Sequence, residues 1–172
     1  YRAEKPTYET AGYVQTNEWV LMSSPLDKRW FQSGDERAQL VEDLTTEAGI
    51  IAAMEEEGGS GHPTKAGLAG NPRVRQRWIE EDGQPASFGR LVLNGSIAYL
   101  GDVVTRTEFR RRGHAGSIVR RLLDDAIDHG ATQCVLTSTA MGRPIYANMG
   151  FSLVAPVFEF EFKGQQSVVT TD

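Results

Sequence analysis

The sequence predicts an α/β fold in which a mixed, mainly antiparallel sheet of about seven strands is flanked by about four helices. Asp82-Gly83 and Asn94-Gly95 each separate two strand-like segments, and such pairs adopt the positive φ that tight antiparallel hairpins require. Between residues 115 and 127 apolar side chains recur at helical spacing, which predicts one long amphipathic helix. The length of 172 residues fits one ordinary domain.

The N-terminal part of this domain is predicted as one strand followed by two helices. The strand covers residues 18–22, and the helices cover residues 35–44 and 46–57, each with apolar residues on one side. Residues 58–72 hold five glycines and two prolines, so they carry too little apolar surface to offset their ordering entropy. We therefore expect a mobile surface loop there.

The remaining elements form a meander, the long helix and a C-terminal α/β segment. The predicted strands of the meander are residues 75–81, 86–93 and 97–105. After the long helix, which Gly130 should end, residues 134–137 form a strand and Pro144 begins a short helix that ends near Gly150. Two further strands are predicted, at residues 151–154 and 157–162.

Composition excludes several classes of function. A net charge of −5 argues against a nucleic-acid partner, and the apolar runs are far shorter than the ~18 residues of a membrane span. Cys134 is the only cysteine, and the three histidines show no metal-ligand spacing, so neither a metal nor an internal disulfide is expected. No secretion signal precedes the first strand, which favours a cytoplasmic protein. The sequence leaves open whether the chain forms a homodimer.

A turn rich in arginine and glycine joins the third strand of the meander to the long helix. Its sequence is Arg110, Arg111, Arg112, Gly113, His114, Ala115, Gly116. A helix that starts after such a turn presents unpaired backbone N–H groups at the positive end of its dipole, where a phosphate is stabilised. The glycine pattern of a dinucleotide-binding fold and the lysine of a Walker motif are both absent.

The spacing Arg110-x-x-Gly113-x-Ala115 resembles the acyl-CoA pyrophosphate loop of the GNAT superfamily of N-acetyltransferases. Tyr146, Gly150 and Phe151 are similar to the Tyr-x-x-x-Gly-Phe signature that follows it in that family. The predicted order of strands and helices also matches, so the resemblance covers about residues 18–163.

This resemblance implies that acetyl-CoA, the acyl donor, lies in a cleft between parted fourth and fifth strands. The implied cofactor contacts are the backbone of Val103, Val104 and Thr105 for the pantetheine, the turn Arg110, Arg111, Arg112, Gly113, His114, Ala115, Gly116 and Ser117 for the pyrophosphate, and Thr139 where many relatives have asparagine. Tyr146 would protonate the departing CoA thiolate, because a phenol keeps its proton at neutral pH. The acceptor would be a small-molecule or peptide amine.

The general base is left open by the sequence. Where relatives often place a carboxylate in the fourth strand, this chain has Tyr99. Asp102 is close in sequence but has the opposite side-chain parity, so it reaches the acceptor only if a bulge shifts the register. Glu80 and Glu81 are the alternatives, acting through water.

Two functions remain after these considerations. The first is an acetyl-CoA-dependent N-acetyltransferase; the alternative is a non-catalytic acyl-CoA-binding lobe of a tandem protein. The alternative draws on an internal similarity between residues 6–13 and 144–151, which share Pro, Tyr, Gly and an aromatic residue at matching positions. On that basis residues 1–17 are interpreted as the tail of a preceding similar lobe, and residues 18–172 as the acetyltransferase domain.

Overall fold

The computed structural model describes residues 5–31, 36–44 and 70–164. In chain order the elements are α1 Lys5–Thr10, β1 Tyr13–Pro25, α2 Glu36–Gln39, β2 Glu42–Asp43, β3 Val74–Glu81, β4 Gln84–Asn94, β5 Ile97–Thr105, a 3₁₀ turn Thr107–Phe109, α3 His114–Asp128, β6 Gln133–Ser138, α4 Arg143–Asn148 and β7 Ser152–Phe162. The predicted mixed α/β fold is confirmed.

The seven strands form one sheet in the order β2-β3-β4-β5-β6-β1-β7. All neighbouring strands are antiparallel except β5 and β6, which run parallel. The helix α3 is the crossover that this parallel pair requires. The start of α3 therefore lies beyond the C-terminal end of β5, at the same end of the sheet as the C-terminus of β6.

The two meander turns differ in how well the sequence located them. Asp82 and Gly83 have φ values of 55° and 73°, as the predicted tight hairpin requires. The second turn lies one residue later than predicted, because Asn94 still pairs with Ile97 and Gly95, with φ 60°, is the first turn residue.

Helix α3 packs its apolar stripe against the sheet and ends as predicted. Ile118, Val119, Leu122 and Leu123 are fully buried in the core. At the C-terminus, Gly130 with φ 81° donates to the carbonyl of Ile127, while the next amide donates to Ala126, which is a Schellman motif.

Close contact between α3 and β4 depends on one glycine. A Cβ built on Gly89 would lie 2.5 Å from Cγ2 of Ile118, a distance that side chains do not reach. Gly89 therefore lets α3 approach the sheet at the level where β5 is irregular.

Several predicted element bounds are wrong. The helix expected at residues 35–44 ends at Gln39, and Glu42–Asp43 instead form the edge strand β2, where Asp43 bonds Arg77 at 2.6 Å. The strand expected at residues 18–22 extends over all of β1, so the proposed boundary between residues 17 and 18 falls inside a strand. The helix expected at residues 46–57 and residues 58–69 of the predicted loop lie outside the described residues.

The two C-terminal strands expected at residues 151–154 and 157–162 are one continuous strand, β7. Pro156 interrupts the apolar pattern but not the strand, because β7 lies at the edge of the sheet, where a missing N–H removes no ladder bond. Among the described residues, no helix is long and apolar enough to cross a membrane.

Candidate functional site

The strands β5 and β6 pair only over their first residues and then part. Backbone pairing runs from Ile97 with Gln133 to Leu100 with Leu136 and stops there. We call residues 97–100 the closed half of β5 and residues 101–105 the open half. The open half pairs with β4 alone, so it forms one wall of a cleft between β5 and β6. The level of Leu100 and Leu136, where the pairing ends, is the apex of this cleft. The strands β5 and β6 correspond to the predicted fourth and fifth strands, whose parting the sequence analysis expected.

The open half begins with a bulge at Asp102. Arg90 pairs with Gly101 and Phe88 with Val104, so Gly89 alone faces both Asp102 and Val103. Asp102 has φ 52°, a left-handed conformation that Asp tolerates better than most residues. The register shift that the sequence analysis required for Asp102 is therefore present.

The carboxylate of Asp102 is held by a buried cation. Arg90 Nη1 lies 2.5 Å from Asp102 Oδ2, and the exposed fractions of the two side chains are 4% and 27%. Nε and Nη2 of Arg90 donate to Gln76 Oε1 at 3.1 and 3.0 Å. Burial lowers the pKa of Arg90, and the Asp102 carboxylate opposes that shift. Arg90, on the neighbouring strand β4, is a residue that sequence reasoning missed.

Between the open half and α3 lies the arginine loop, residues 106–113. Arg111 has φ 65° and Gly113, the N-cap of α3, has φ 89°. Within the described chain the six backbone N–H groups of residues 111–116 make no hydrogen bond, and the first helical bond runs from Ser117 N to Gly113 O. Unpaired amides at a helix N-terminus are a typical geometry for binding an anion. Binding of a pyrophosphate here stays a prediction.

One carboxylate, that of Glu81, binds a side chain of the arginine loop and the first side chain of α3. Glu81, at the end of β3, accepts from Arg112 Nη1 at 2.5 Å and contacts His114 Nε2 at 2.7 Å. Burial acts to raise the pKa of Glu81, but the bonds from His114 and Arg112 outweigh it and lower that pKa. Glu81 is therefore an anchor of the loop, and this argues against the sequence suggestion that it relays the acceptor proton.

The other arginines of the loop differ from one another. Arg106 forms an ion pair with Glu108 at 2.7 Å, and Arg110 Nε donates to the Thr105 carbonyl at 3.0 Å. The side chain of Arg111 is exposed and makes no ion pair with a described residue. Of these three, Arg111 is the one whose guanidinium is available to an anion at the loop.

Tyr146, on α4, belongs to the same core cluster as Leu100 and Leu136, the last paired residues of β5 and β6. Its ring is buried, and the ring of Phe151 meets it edge-on with centroids 6.0 Å apart. Burial, with smaller contributions from Cys134 and Tyr99, raises the pKa of Tyr146 to about 12. The hydroxyl makes no hydrogen bond to a described residue. It is therefore a protonated donor without an acceptor among the described residues.

The loop after β6 contains Thr139, which the sequence analysis placed at the cofactor. Its Oγ1 accepts the N–H of Gly142 at 3.2 Å, and its carbonyl accepts from Arg143 N at 3.0 Å. Thr139 thus shapes the turn that leads to α4. Its contact with a cofactor stays a prediction.

Several of the predicted site residues are consecutive in the structure. Asp102, Val103, Val104 and Thr105 belong to the open half, and the unpaired amides of residues 111–116 follow along the chain. Their contacts with a cofactor stay a prediction. The described residues contain no group of three or more side chains able to hold a metal ion.

Comparison with known proteins assigns the class. The family model described as an acetyltransferase (GNAT) domain matches residues 72–166, more than half of the chain. The chain therefore belongs to the GNAT acetyltransferase family. A search of curated protein sequences gives no match.

Solved structures of the same family share the fold. A GCN5-related N-acetyltransferase from Kribbella flavida has a TM-score of 0.68 at 16% identity, over 94% of this chain and 64% of that one. A GCN5-related N-acetyltransferase from Sphaerobacter thermophilus has a TM-score of 0.69 at 15% identity, over 93% of this chain and 55% of that one. A predicted acetyltransferase with acetyl-CoA from Clostridium acetobutylicum has a TM-score of 0.56 at 15% identity, over 65% of this chain and 88% of that one. The chain thus spans less than two-thirds of the first two proteins.

Proposed function

We propose that the protein transfers an acetyl group from acetyl-CoA to a primary amine of a small molecule or peptide, with Tyr146 as general acid. The observation that carries this proposal is the junction of the open half of β5 with six unpaired amides at residues 111–116. An extended chain with amide groups can pair with the open half as an added strand, and its phosphates then reach these amides. Pantetheine and pyrophosphate have this chemistry.

The reaction needs little covalent chemistry from the protein. The amine nitrogen forms a bond to the thioester carbonyl carbon, the C–S bond breaks, the amine loses a proton and the thiolate gains one. Tyr146 donates that proton, because its raised pKa keeps it protonated at neutral pH and its hydroxyl has no described acceptor. Holding the two reactants together in the cleft supplies much of the acceleration.

The proton that the amine releases is assigned to Asp102 through water. Asp102 lies at the bulge of the open half, and 27% of its side chain is exposed although Oδ2 is bound to Arg90. At neutral pH a lysine amine must lose a proton held about three pKa units too strongly, roughly 4 kcal/mol, whereas an α-amine near pKa 8 costs about 1.4 kcal/mol. Acceptors with amines of low pKa are therefore favoured.

Titration calorimetry with acetyl-CoA on the Gly116→Glu variant tests the cofactor site. A Cβ on Gly116 meets only ordinary contacts, 3.7 Å from Met149 and 3.8 Å from Arg120, so a side chain fits without strain. The added carboxylate stands in the first turn of α3, beside the amides proposed to hold the pyrophosphate. We expect binding at least about 10-fold weaker than in Gly116→Gln, the matched neutral control, because phosphate and carboxylate repel.

Thiol release with a panel of amines then tests the transfer. Amine-dependent release of CoA supports the transferase. Equal acetyl-CoA affinity in the Glu and Gln variants contradicts the placement of the pyrophosphate, and no acetyl-CoA binding by the wild-type protein contradicts the proposed function.

The second candidate is a non-catalytic acyl-CoA-binding lobe of a longer protein. It is favoured by the match to only 55–64% of the length of the two longer relatives and by the engagement of Asp102 with Arg90. Tight acetyl-CoA binding without release on any amine supports it. We propose a cytoplasmic location for either function, since a lone buried Cys134 suits a reducing compartment.

A further inference from the structure

A side-chain bridge spans β5 and β6 at the point where they part. Tyr99 Oη lies 3.1 Å from Thr137 Oγ1. The backbone of Tyr99 pairs with Val135, whereas Thr137 lies one residue beyond the last backbone pair, Leu100 with Leu136. Backbone pairing ends at this level, and a hydroxyl pair continues the connection. The two strands are therefore held together by side chains at the apex of the cleft.

The ring of Tyr99 reaches this position because residue 101 is glycine. A Cβ on Gly101 would lie 3.0 Å from Cε1 of Tyr99, so the ring lies over Gly101 and covers the first residue of the open half. In the sheet, Tyr99 is 41% exposed, whereas its neighbours Ala98 and Leu100 are buried on the opposite face. The bridge therefore covers the apex on the face opposite the core.

The other sides of the apex are closed by packed residues. Leu100 and Leu136 are about 1% exposed and belong to the core cluster. Tyr146 is buried and belongs to the same core cluster. A group that enters the cleft from the arginine loop along the open half meets this apex last.

We propose that the Tyr99–Thr137 bridge ends the acyl site and restricts the donor to short-chain acyl-CoA. The inference rests on the proposed function, which directs the thioester along the open half toward the apex. Each added methylene beyond acetyl then meets the tyrosine ring or the closed strand pair. Removal of the ring opens the apex toward solvent on the face opposite the core.

Calorimetric titrations of CoA, acetyl-CoA and hexanoyl-CoA test this proposal without an acceptor. We expect the wild-type protein to bind hexanoyl-CoA at least about 10-fold more weakly than acetyl-CoA, since a filled site rejects extra volume. In Tyr99→Ala this ratio falls to about 3-fold or less, as the obstruction is gone. The affinity for CoA itself serves as the control for folding, because CoA lacks the acyl group.

A second pair of variants separates the hydroxyl bond from the ring. Thr137→Val removes the partner of Tyr99 and should relax the discrimination part of the way, while Thr137→Ser keeps the hydroxyl and should retain the wild-type ratio. Equal binding of acetyl- and hexanoyl-CoA by the wild-type protein overturns the proposal, as does an unchanged ratio in Tyr99→Ala. If the wild-type protein binds neither CoA nor its acyl derivatives, the proposed function itself is overturned.

Discussion

The two halves of β5 have different neighbours and different roles. The closed half is paired on both sides, with β4 and β6, and Ala98 and Leu100 are buried in the core. The open half keeps only β4 and is displaced by the bulge at Asp102. One strand thus supplies both a rigid base and an unpaired edge, and the site depends on the pairing that the edge lacks.

Two buried arginines repeat this contrast. Arg77 binds Asp125 through two hydrogen bonds of 2.7 and 2.8 Å, and this pair joins β3 to α3 inside the core. Arg90 is equally buried, but its partner Asp102 lies on the open half and is partly exposed. The first pair is structural, whereas the second fixes the shape of the cleft wall.

Among the variants that test the proposed site, Tyr146→Phe should have the largest effect on activity. We expect thiol release to fall by about 100-fold or more, because general acid catalysis contributes about 10²–10⁴-fold. The affinity for acetyl-CoA, measured by calorimetry, should stay within about 2-fold, since the ring and its packing remain. A turnover rate equal to that of the wild type would remove Tyr146 from the mechanism.

Leu100→Ala tests the closed half. Truncation of this fully buried side chain should lower the free energy of unfolding by about 2–5 kcal/mol, through lost transfer energy and a residual cavity. Val104→Ala, in the half-buried open half, should cost about 1 kcal/mol or less. Urea denaturation of both variants measures the difference, and equal losses would mean that the two halves do not differ in packing.

Asp102→Asn tests the proton acceptor while keeping the bulge, because Asn also tolerates a positive φ. We expect thiol release near pH 7 to fall by about 10-fold. The difference from wild type should narrow as pH rises, since more of the amine then arrives neutral. A constant ratio at every pH, with unchanged acetyl-CoA affinity, would give Asp102 a purely structural role.

Alkaline pH should lower the free energy of unfolding through two buried groups. Burial raises the pKa of Cys134 to about 12, from 9.0, and that of Tyr146 to about 12, from 10.0. Because both pKa values are higher in the folded state, their contribution is complete below pH 9 and is lost as pH rises toward 12. The free energy of unfolding should fall by roughly 1 kcal/mol per pH unit for each ionising group. Cys134→Ala should show a shallower fall above pH 9 in urea titrations.

The sequence predicted the parts of the fold that local signals define. The Asp82-Gly83 hairpin, the stripe of α3 and its end at Gly130 each depend on neighbouring residues. The course of β7 through Pro156 and the edge strand β2 depend on which strands lie beside them, and no local pattern shows that.

The same limit applies to the candidate site. The unpaired amides of residues 111–116 lie in a glycine-containing turn and the helix start that follows it, so the sequence could predict them. The Asp102 bulge and the anchoring of His114 by Glu81 join residues from separate strands and loops. Two isolated glycines in strands, Gly89 and Gly101, were the local signals of the irregularity, since such glycines mark bulges or close backbone approach.

Hydrogen exchange with and without acetyl-CoA tests the central claim most directly. The account predicts that acetyl-CoA protects the amides of residues 111–116, which have no partner in the described chain. It also predicts protection of those amides of the open half, residues 101–105, that do not bond to β4. The closed half, residues 97–100, should show no change, because its amides are already in the sheet. Acetyl-CoA binding that leaves residues 111–116 unprotected, or that protects a different part of the chain, would contradict the account.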